Sequence, residues 1–386
     1  MTRPPPVLRA VARWLVPARL LVDLAWRPLW PGGPGGSQVV GGALAVAVVL
    51  LAATQLRATS PRERATLGAV ALALGVGALR AGSPEAAVVN GLHLAAPFAV
   101  WLVCRAAAEP ELEATWRRAA WAPLGLSAAV TWLGAAPPVV SDGWPRFVGA
   151  WGNVHGAAVV AAVAAASAAG AALRGRRLED VALALAAGVA LAATVVRGPV
   201  VFAAGAVALG AGWSRRARAA GAAAAGAAVL AALLARGPEL WALATLSTPD
   251  GGWGALGSHR VRIWTDATTT FLAGPWSDVV LGRGLGGQWG LHRHLDPHGD
   301  WLSLWFQLGL LGPVGWLAAG VGAARAAGAG PARGLVLAVM VLGLVGNDVL
   351  YRPSLLWWVA GAAGLAAGRR ALAQPLWIAE SATASQ

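Results

Sequence analysis

The sequence predicts an all-α polytopic membrane protein, with about eleven or twelve transmembrane helices and one long extracytoplasmic loop. Three observations carry that expectation. Of the 386 residues, 57% are hydrophobic and only 12% charged, roughly half the charged fraction of an average soluble domain. Apolar runs near the ~20 residues that a bilayer requires recur from end to end. These Ala, Leu, Val and Gly runs lack the alternation of barrel strands, so the backbone must satisfy its own hydrogen bonds inside helices.

Spans are expected near residues 39–56, 65–80, 85–104, 119–136, 149–173, 178–196, 199–213, 219–235, 298–323, 334–346 and 354–368. Residues 8–30 form a twelfth candidate, favoured as a span over an interfacial amphipathic helix. Arg13 and Arg19 interrupt its apolar stretch, so no cleavable leader is expected there. The chain reads as a single membrane domain, 1–386, in which 236–297 is the only sizeable extramembrane piece. About 60 residues exceeds what a plain connector needs. Cys104, the one cysteine, lies in an apolar run and excludes an intramolecular disulfide.

The net charge of +13 comes from arginine alone, since the chain has no lysine. These arginines sit in short loops between spans, not in one stripe, so no nucleic-acid partner is expected. The connections 57–64, 105–118, 174–177, 214–218 and 324–333, with 369–370, hold 16 arginines; the alternating short connections hold Arg80, Arg146, Arg197 and Arg352. The positive-inside rule makes the first set cytoplasmic and puts the long loop outside.

That topology collects the polar residues of interest at one membrane face. Arg197 breaks an apolar stretch in "TVVRGPVVF"; Arg260 and Arg262 lie in "GSHRVRIW"; His298 and Asp300 stand where the long loop re-enters the apolar region; Arg146, Asn153 and His155 begin another span in "PRFVGAWGNVHGAA". Ionisable groups at bilayer depth are costly unless they line a cavity, so their clustering argues for a site. Plainer roles stand beside it. Arg197 alone suits snorkelling to the interface, and Arg260 and Arg262 suit solvation. Asn153 and His155 suit helix capping or bridging, and Asp300 suits capping the helix that starts there. Trp289, Trp301, Trp305 and Trp316 suit an interfacial belt and packing. His292, His294 and His298, with Asp296 or Asp300, have chelating spacing, yet nothing completes a metalloenzyme motif, so neither a metal nor a cofactor is expected.

Arginines with one histidine at an outer face suit a phosphate-bearing lipid substrate. Guanidinium forks match phosphate oxygens and stay charged. Fixed cations stabilise a departing diphosphate, and a neutral imidazole accepts the proton of an attacking hydroxyl.

Four segments resemble the O-antigen ligase and polymerase superfamily of bacterial envelope glycan enzymes. "RFVGAWGNVHGAA" is similar to that family's Arg-x-x-Gly-x-Phe-x-Asn-Pro-Asn segment, with Trp151 as the aromatic and His155 for the second Asn. "VVRGPVV" is similar to its Ser-Arg-Gly motif, with Val196 for Ser. "SHRVRIWTDATTTFLAGPWSDVVLGRGLG" is similar to its Ser-Gly-Arg-x-x-x-Trp stretch with a following Gly-x-Gly-x-Gly turn, matching Arg260 and Trp264. "DPHGDWLSLWFQLGLLGPVGWL" is similar to its His-Asn-x-x-Leu and Glu-x-Gly-Leu-x-Gly signatures, with Gly299 for Asn and Gln307 for Glu.

The resemblance covers about residues 146–317 and implies a GT-C-like, metal-independent, inverting glycosyltransferase of the bacterial cytoplasmic (inner) membrane. Its donor would be an undecaprenyl-pyrophosphate-linked glycan, its acceptor a lipid A core sugar or a growing glycan, and its active site would face the outside. His298, Arg260 and Arg197 would be catalytic; Arg146, Asn153, Arg262, Trp264 and Asp300 would bind substrate. Ligase and polymerase differ only in the acceptor. An amphiphile transporter and an outer-facing metallohydrolase built on the histidines are the more distant alternatives.

Overall fold

The computed structural model describes residues 5–24, 34–109, 111–141, 144–175, 177–194, 196–210, 260–287, 299–345 and 352–373. Helix accounts for 83% of them, which makes the chain all-α as the sequence predicts. The helices are α1 (Pro6–Val22), α2 (Pro34–Ala53), α3 (Pro61–Leu79), α4 (Pro84–Ala107), α5 (Leu112–Trp132), α6 (Val154–Gly175), α7 (Leu178–Thr194), α8 (Arg197–Leu209), α9 (Arg260–Leu272), α10 (Trp276–Leu281), α11 (Asp300–Leu308), α12 (Leu311–Ala327), α13 (Pro331–Val345) and α14 (Pro353–Ala373). A short antiparallel hairpin, β1 (Val139–Ser141) with β2 (Trp144–Arg146), precedes α6 and pairs Val139 with Arg146.

Local sequence sets the helix starts. Proline opens α2, α3, α4, α13 and α14, where its missing N–H removes a donor that the helix could not satisfy and its ring pre-sets φ. At α3, Ser60 and Glu63 form a reciprocal capping box, with Ser60 N donating to Glu63 Oε2 at 2.7 Å and Glu63 N to Ser60 Oγ at 3.3 Å.

The core is built on close approach of small residues. A Cβ at Gly364 or Gly368 of α14 would overlap the carbonyl oxygens of Trp101 and Arg105, so α4 and α14 meet almost backbone to backbone. Gly334 of α13 meets the Ala206 carbonyl of α8 in the same way. Small residues at such crossings let helices gain dispersion contacts without large side chains. Trp116, Trp357 and Trp358 fill the spaces that remain, and the Trp116 indole donates to the Ala12 carbonyl at 3.1 Å. That bond, with Leu8, Ala12, Leu15, Val16 and Leu20 buried, makes α1 a member of the bundle.

Two ends result. At one, α1, α3, α5, α7 and α13 finish: Ser354 N meets Asp23 Oδ2 at 3.0 Å, and Phe147 N meets the Ala193 carbonyl at 2.9 Å. At the other, arginines and acids pair between helix starts and stops: Arg117 Nε with Asp180 at 2.7 Å, Arg118 Nε with Glu179 at 2.9 Å, and Arg105 Nε with Glu63 at 3.0 Å. The described arginines of the two sequence sets fall at these two ends.

The expected span 298–323 is corrected: it is two helices. Gly309 sits at φ +61° and a Cβ there would overlap the Val280 carbonyl, so the chain turns and α12 starts afresh. At 1.5 Å per residue the nine residues of α11 cover only about 14 Å. Part of the long loop is also ordered, since α9 and α10 lie inside it. Their apolar residues Ala267, Phe271 and Val279 form a second small core with Phe306 of α11. Among the described residues, two helices are both long and apolar enough to cross a membrane, Pro84–Ala107 and Val154–Gly175; Gln38–Ala53, Gly198–Leu209 and Pro331–Gly343 are apolar but shorter. The expected span 219–235 lies outside the described residues.

Gly309→Ala should lower the stability of the purified protein by about 2–4 kcal/mol in a denaturant titration, because it adds both left-handed strain and a clash with backbone. Gly188→Ala in α7, where a Cβ meets open space, should instead raise it by up to about 1 kcal/mol.

Candidate functional site

One turn of α13 organises the end at which that helix stops. A Cβ on Gly198, the residue after Arg197, would lie 3.6 Å from Leu342 Cδ1. A Cβ on Gly343 would lie 3.3 Å from the Trp301 indole nitrogen and 3.5 Å from Asp300 Oδ2, and that indole donates to the Met340 carbonyl at 3.1 Å. The starts of α8 and α11 therefore flank the same helical turn.

Helix α9 closes the third side. The Trp264 indole nitrogen lies 3.3 Å from where a Gly299 Cβ would stand, so the second turn of α9 abuts the residue following His298. This nitrogen is buried and makes no hydrogen bond among the described residues, an orphan donor that a buried site normally satisfies. Arg260 opens α9 four residues earlier, one turn away on the same helical face. The hairpin approaches as well: the Phe147–Ala193 bond sets half-buried Arg146 beside the last turn of α7, a few residues before Arg197.

The start of α6 is fixed separately. Gly149, at φ +53°, lies so close to Ser127 that a Cβ would collide with it, and Ala150 N donates to Ser127 Oγ at 3.1 Å. Asn153 Oδ1 accepts the Gly156 N–H, the geometry of an N-cap. Asn153 thus caps α6. At α11 the capping expectation is corrected: Gly299 is the N-cap, without a side-chain bond, and Asp300 is the first helical residue, 3% exposed. A carboxylate in a first turn still meets the positive end of the helix dipole.

The structure thus brings Arg146, Asn153, Trp264, Asp300 and the backbones of Arg197, Arg260 and Arg262 to one end of the bundle. His298 and Trp289 lie outside the described residues, as does the rest of the histidine cluster, and so do the side chains of Arg197, Arg260 and Arg262. Among the described residues no group of three His, Cys, Asp or Glu is arranged to hold a metal. Trp301 and Trp305 serve packing, their indoles donating to the carbonyls of Met340 and Val279 at 3.1 and 3.2 Å, and Trp316 packs edge-on against Phe98 at 4.8 Å.

A latch that no sequence pattern pairs holds this end together. Arg80, at the end of α3, donates to Asp278 Oδ1 at 2.6 Å and to the Gly282 carbonyl at 2.7 Å; Arg283 approaches the other Asp278 oxygen at 3.4 Å. The Gly-x-Gly-x-Gly turn lies beneath it. Gly282, Gly284 and Gly286 all have positive φ, and Cβ atoms at the first two would overlap backbone of Gln307 and Arg80. Fully buried Gln307 completes the joint: its Oε1 accepts the Gly286 N–H at 3.0 Å, and its Nε2 donates to the Ser303 carbonyl at 3.2 Å. The turn was readable as a turn; its dock against α3 and α11 was not.

No protein-family model matches the chain, and no curated protein matches it.

Asp278→Asn should weaken both arginine contacts of this partly buried latch and cost about 1–2 kcal/mol. Amide exchange should accelerate at residues 282–286 while α4 and α14 keep their protection; equal acceleration throughout would mean that the latch is part of the global core.

Proposed function

We propose that the chain is an integral-membrane glycosyltransferase of the O-antigen ligase type. It moves a glycan from an undecaprenyl-pyrophosphate carrier to an acceptor hydroxyl at the outer face of the bacterial cytoplasmic membrane. The observation that carries this reading is the shared turn of α13, against which Gly198 of α8 and Asp300 and Trp301 of α11 pack, with Trp264 of the Arg260 helix alongside. The starts of α8 and α11 and the second turn of α9 thereby come to one neighbourhood.

Membrane embedding is supported by what the bundle exposes. Val46, Leu72, Leu185, Val189 and Val341 stand more than a third exposed well inside their helices, which suits lipid better than water. The arginine-rich end would face the cytoplasm and the α13 turn the outside.

In the reaction, the acceptor oxygen attacks the anomeric carbon on the face opposite the carrier, and the bond from that carbon to the diphosphate oxygen breaks with inversion. The electron pair leaves with the diphosphate. Arg197 and Arg260 hold its growing negative charge, which lowers the barrier because the cations need no reorganisation as the bond breaks. His298 accepts the hydroxyl proton. Arg146 and Arg262 add positive field at the same end, and the free Trp264 N–H offers a donor to a sugar or phosphate oxygen. Asp300, buried at the start of α11, sits two residues from His298 and would orient the segment that carries it.

Transfer assayed with purified protein in proteoliposomes should fall about a hundredfold or more for His298→Ala. Arg260→Lys should also lose most activity, since an ammonium cannot reproduce the guanidinium fork. Wild-type rates from both variants would refute these roles. Deletion of the gene with gel analysis of surface glycans separates the two acceptor classes: a ligase loses every rung from the lipid anchor, while a polymerase leaves a single repeat unit.

A further inference from the structure

At the opposite, arginine-rich end, a cavity of about 450 Å³ opens between the start of α5, the end of α6, the α12–α13 link and the end of α14. Its polar lining is Glu113, Arg174, Arg369 and Arg370, three guanidinium groups against one carboxylate. That carboxylate is already shared, lying 3.5 Å from Arg369 Nη2 and 3.9 Å from Arg117 Nη1. Arg370 donates to the Arg325 carbonyl at 3.0 Å, which neutralises no charge. Arg174 makes no hydrogen bond among the described residues; its electrostatic neighbours are Glu113, Arg369 and Arg117, one acid and two cations.

Nearby acids do not restore the balance. Asp180, Glu179 and Glu63 are engaged by Arg117, Arg118 and Arg105. The start of α13 adds to the same field, because Pro331 and Ala332 line the cavity and the first-turn N–H of Ala332 has no acceptor within its helix. The cavity holds far more than one water, whose share of liquid volume is about 30 Å³. Excess positive charge, an open helix N-terminus and this volume call for a ligand that is anionic, rich in acceptor oxygens and larger than a simple ion.

We propose that this cavity is a binding site for a phosphate group, carried by an anionic lipid headgroup or by a soluble phosphate. The site is separate from the transfer site at the other end and does not depend on the transfer reaction. Basic pockets between helices on the cytoplasmic side suit anionic headgroups, and the lipid source alone rests on the membrane placement proposed above.

The test uses the full-length protein in neutral detergent. Phosphatidylglycerol and zwitterionic phosphatidylcholine are titrated in one arm, and inorganic phosphate and pyrophosphate in the other, with binding read by native mass spectrometry and by thermal shift. Selective binding of phosphatidylglycerol with silent soluble phosphates identifies a headgroup site; binding of pyrophosphate without lipid preference identifies a soluble-phosphate site. In either case Arg174→Gln should weaken binding tenfold or more, and Arg174→Gln with Arg370→Gln should abolish it. Arg118→Gln, which removes an exposed cation paired to Glu179, should change it less than twofold. Arg174 makes no hydrogen bond among the described residues, so its single variant remains informative if the double variant is unstable. Absence of binding in both arms, or equal affinity in wild type and Arg174→Gln, overturns the proposal.

Discussion

An arginine cannot shed its charge, so it must sit where water, an acid or a ligand can meet it. This bundle has a mostly apolar middle, and most of its described arginines gather at its two ends. The constraint explains why α3, α4, α5, α6, α7 and α14 start or stop where they do. Arg105 with Glu63 and Arg117 with Asp180 tie the starts and stops of four helices at one end; Arg80 with Asp278 ties α3 to a segment 198 residues away at the other. Partnered guanidinium groups hold the fold, and those left with unbalanced charge mark where an anion would be welcome.

The second determinant is the glycine that stands where backbone touches backbone. Gly364 and Gly368 let α14 press against α4, and Gly334 lets α13 press against α8. At the site end the same property is used for bending. Gly309 breaks an apolar run into α11 and α12, and Gly282, Gly284 and Gly286 carry the chain from α10 past the tips of α3 and α11. The broken helix is what lets Asp300 start a short helix on the α13 turn instead of entering a continuous span.

Hydropathy and proline made most of the helices legible, because apolar runs bounded by Pro61, Pro84, Pro331 and Pro353 match α3, α4, α13 and α14 within a few residues. It failed at 298–323, because a hydropathy window records that "LGLLGPVGWL" is apolar and not that one of its glycines must adopt positive φ against Val280. Asp300 reads as a cap by composition, yet the chain reaches helical dihedrals one residue earlier, so Gly299 takes that position. The Arg80–Asp278 pair carries no local signal at all. Of the site, the grouping of Arg146, Arg197, Arg260 and Asp300 at one end was legible from the alternation of spans. The α13 turn that organises them was not, because Leu342 and Gly343 bear no chemistry of their own.

The transfer reading, and a lipid source for the phosphate cavity's ligand, depend on the two ends facing opposite compartments. Single cysteines at Trp276 (74% exposed, in α10) and Leu178 (82% exposed, at the start of α7) report this directly, since the native Cys104 is buried. In intact cells a membrane-impermeant maleimide should label the Trp276→Cys protein and spare Leu178→Cys, which becomes reactive only after the membrane is opened. Labelling of both before opening, or of Leu178→Cys alone, would contradict the account.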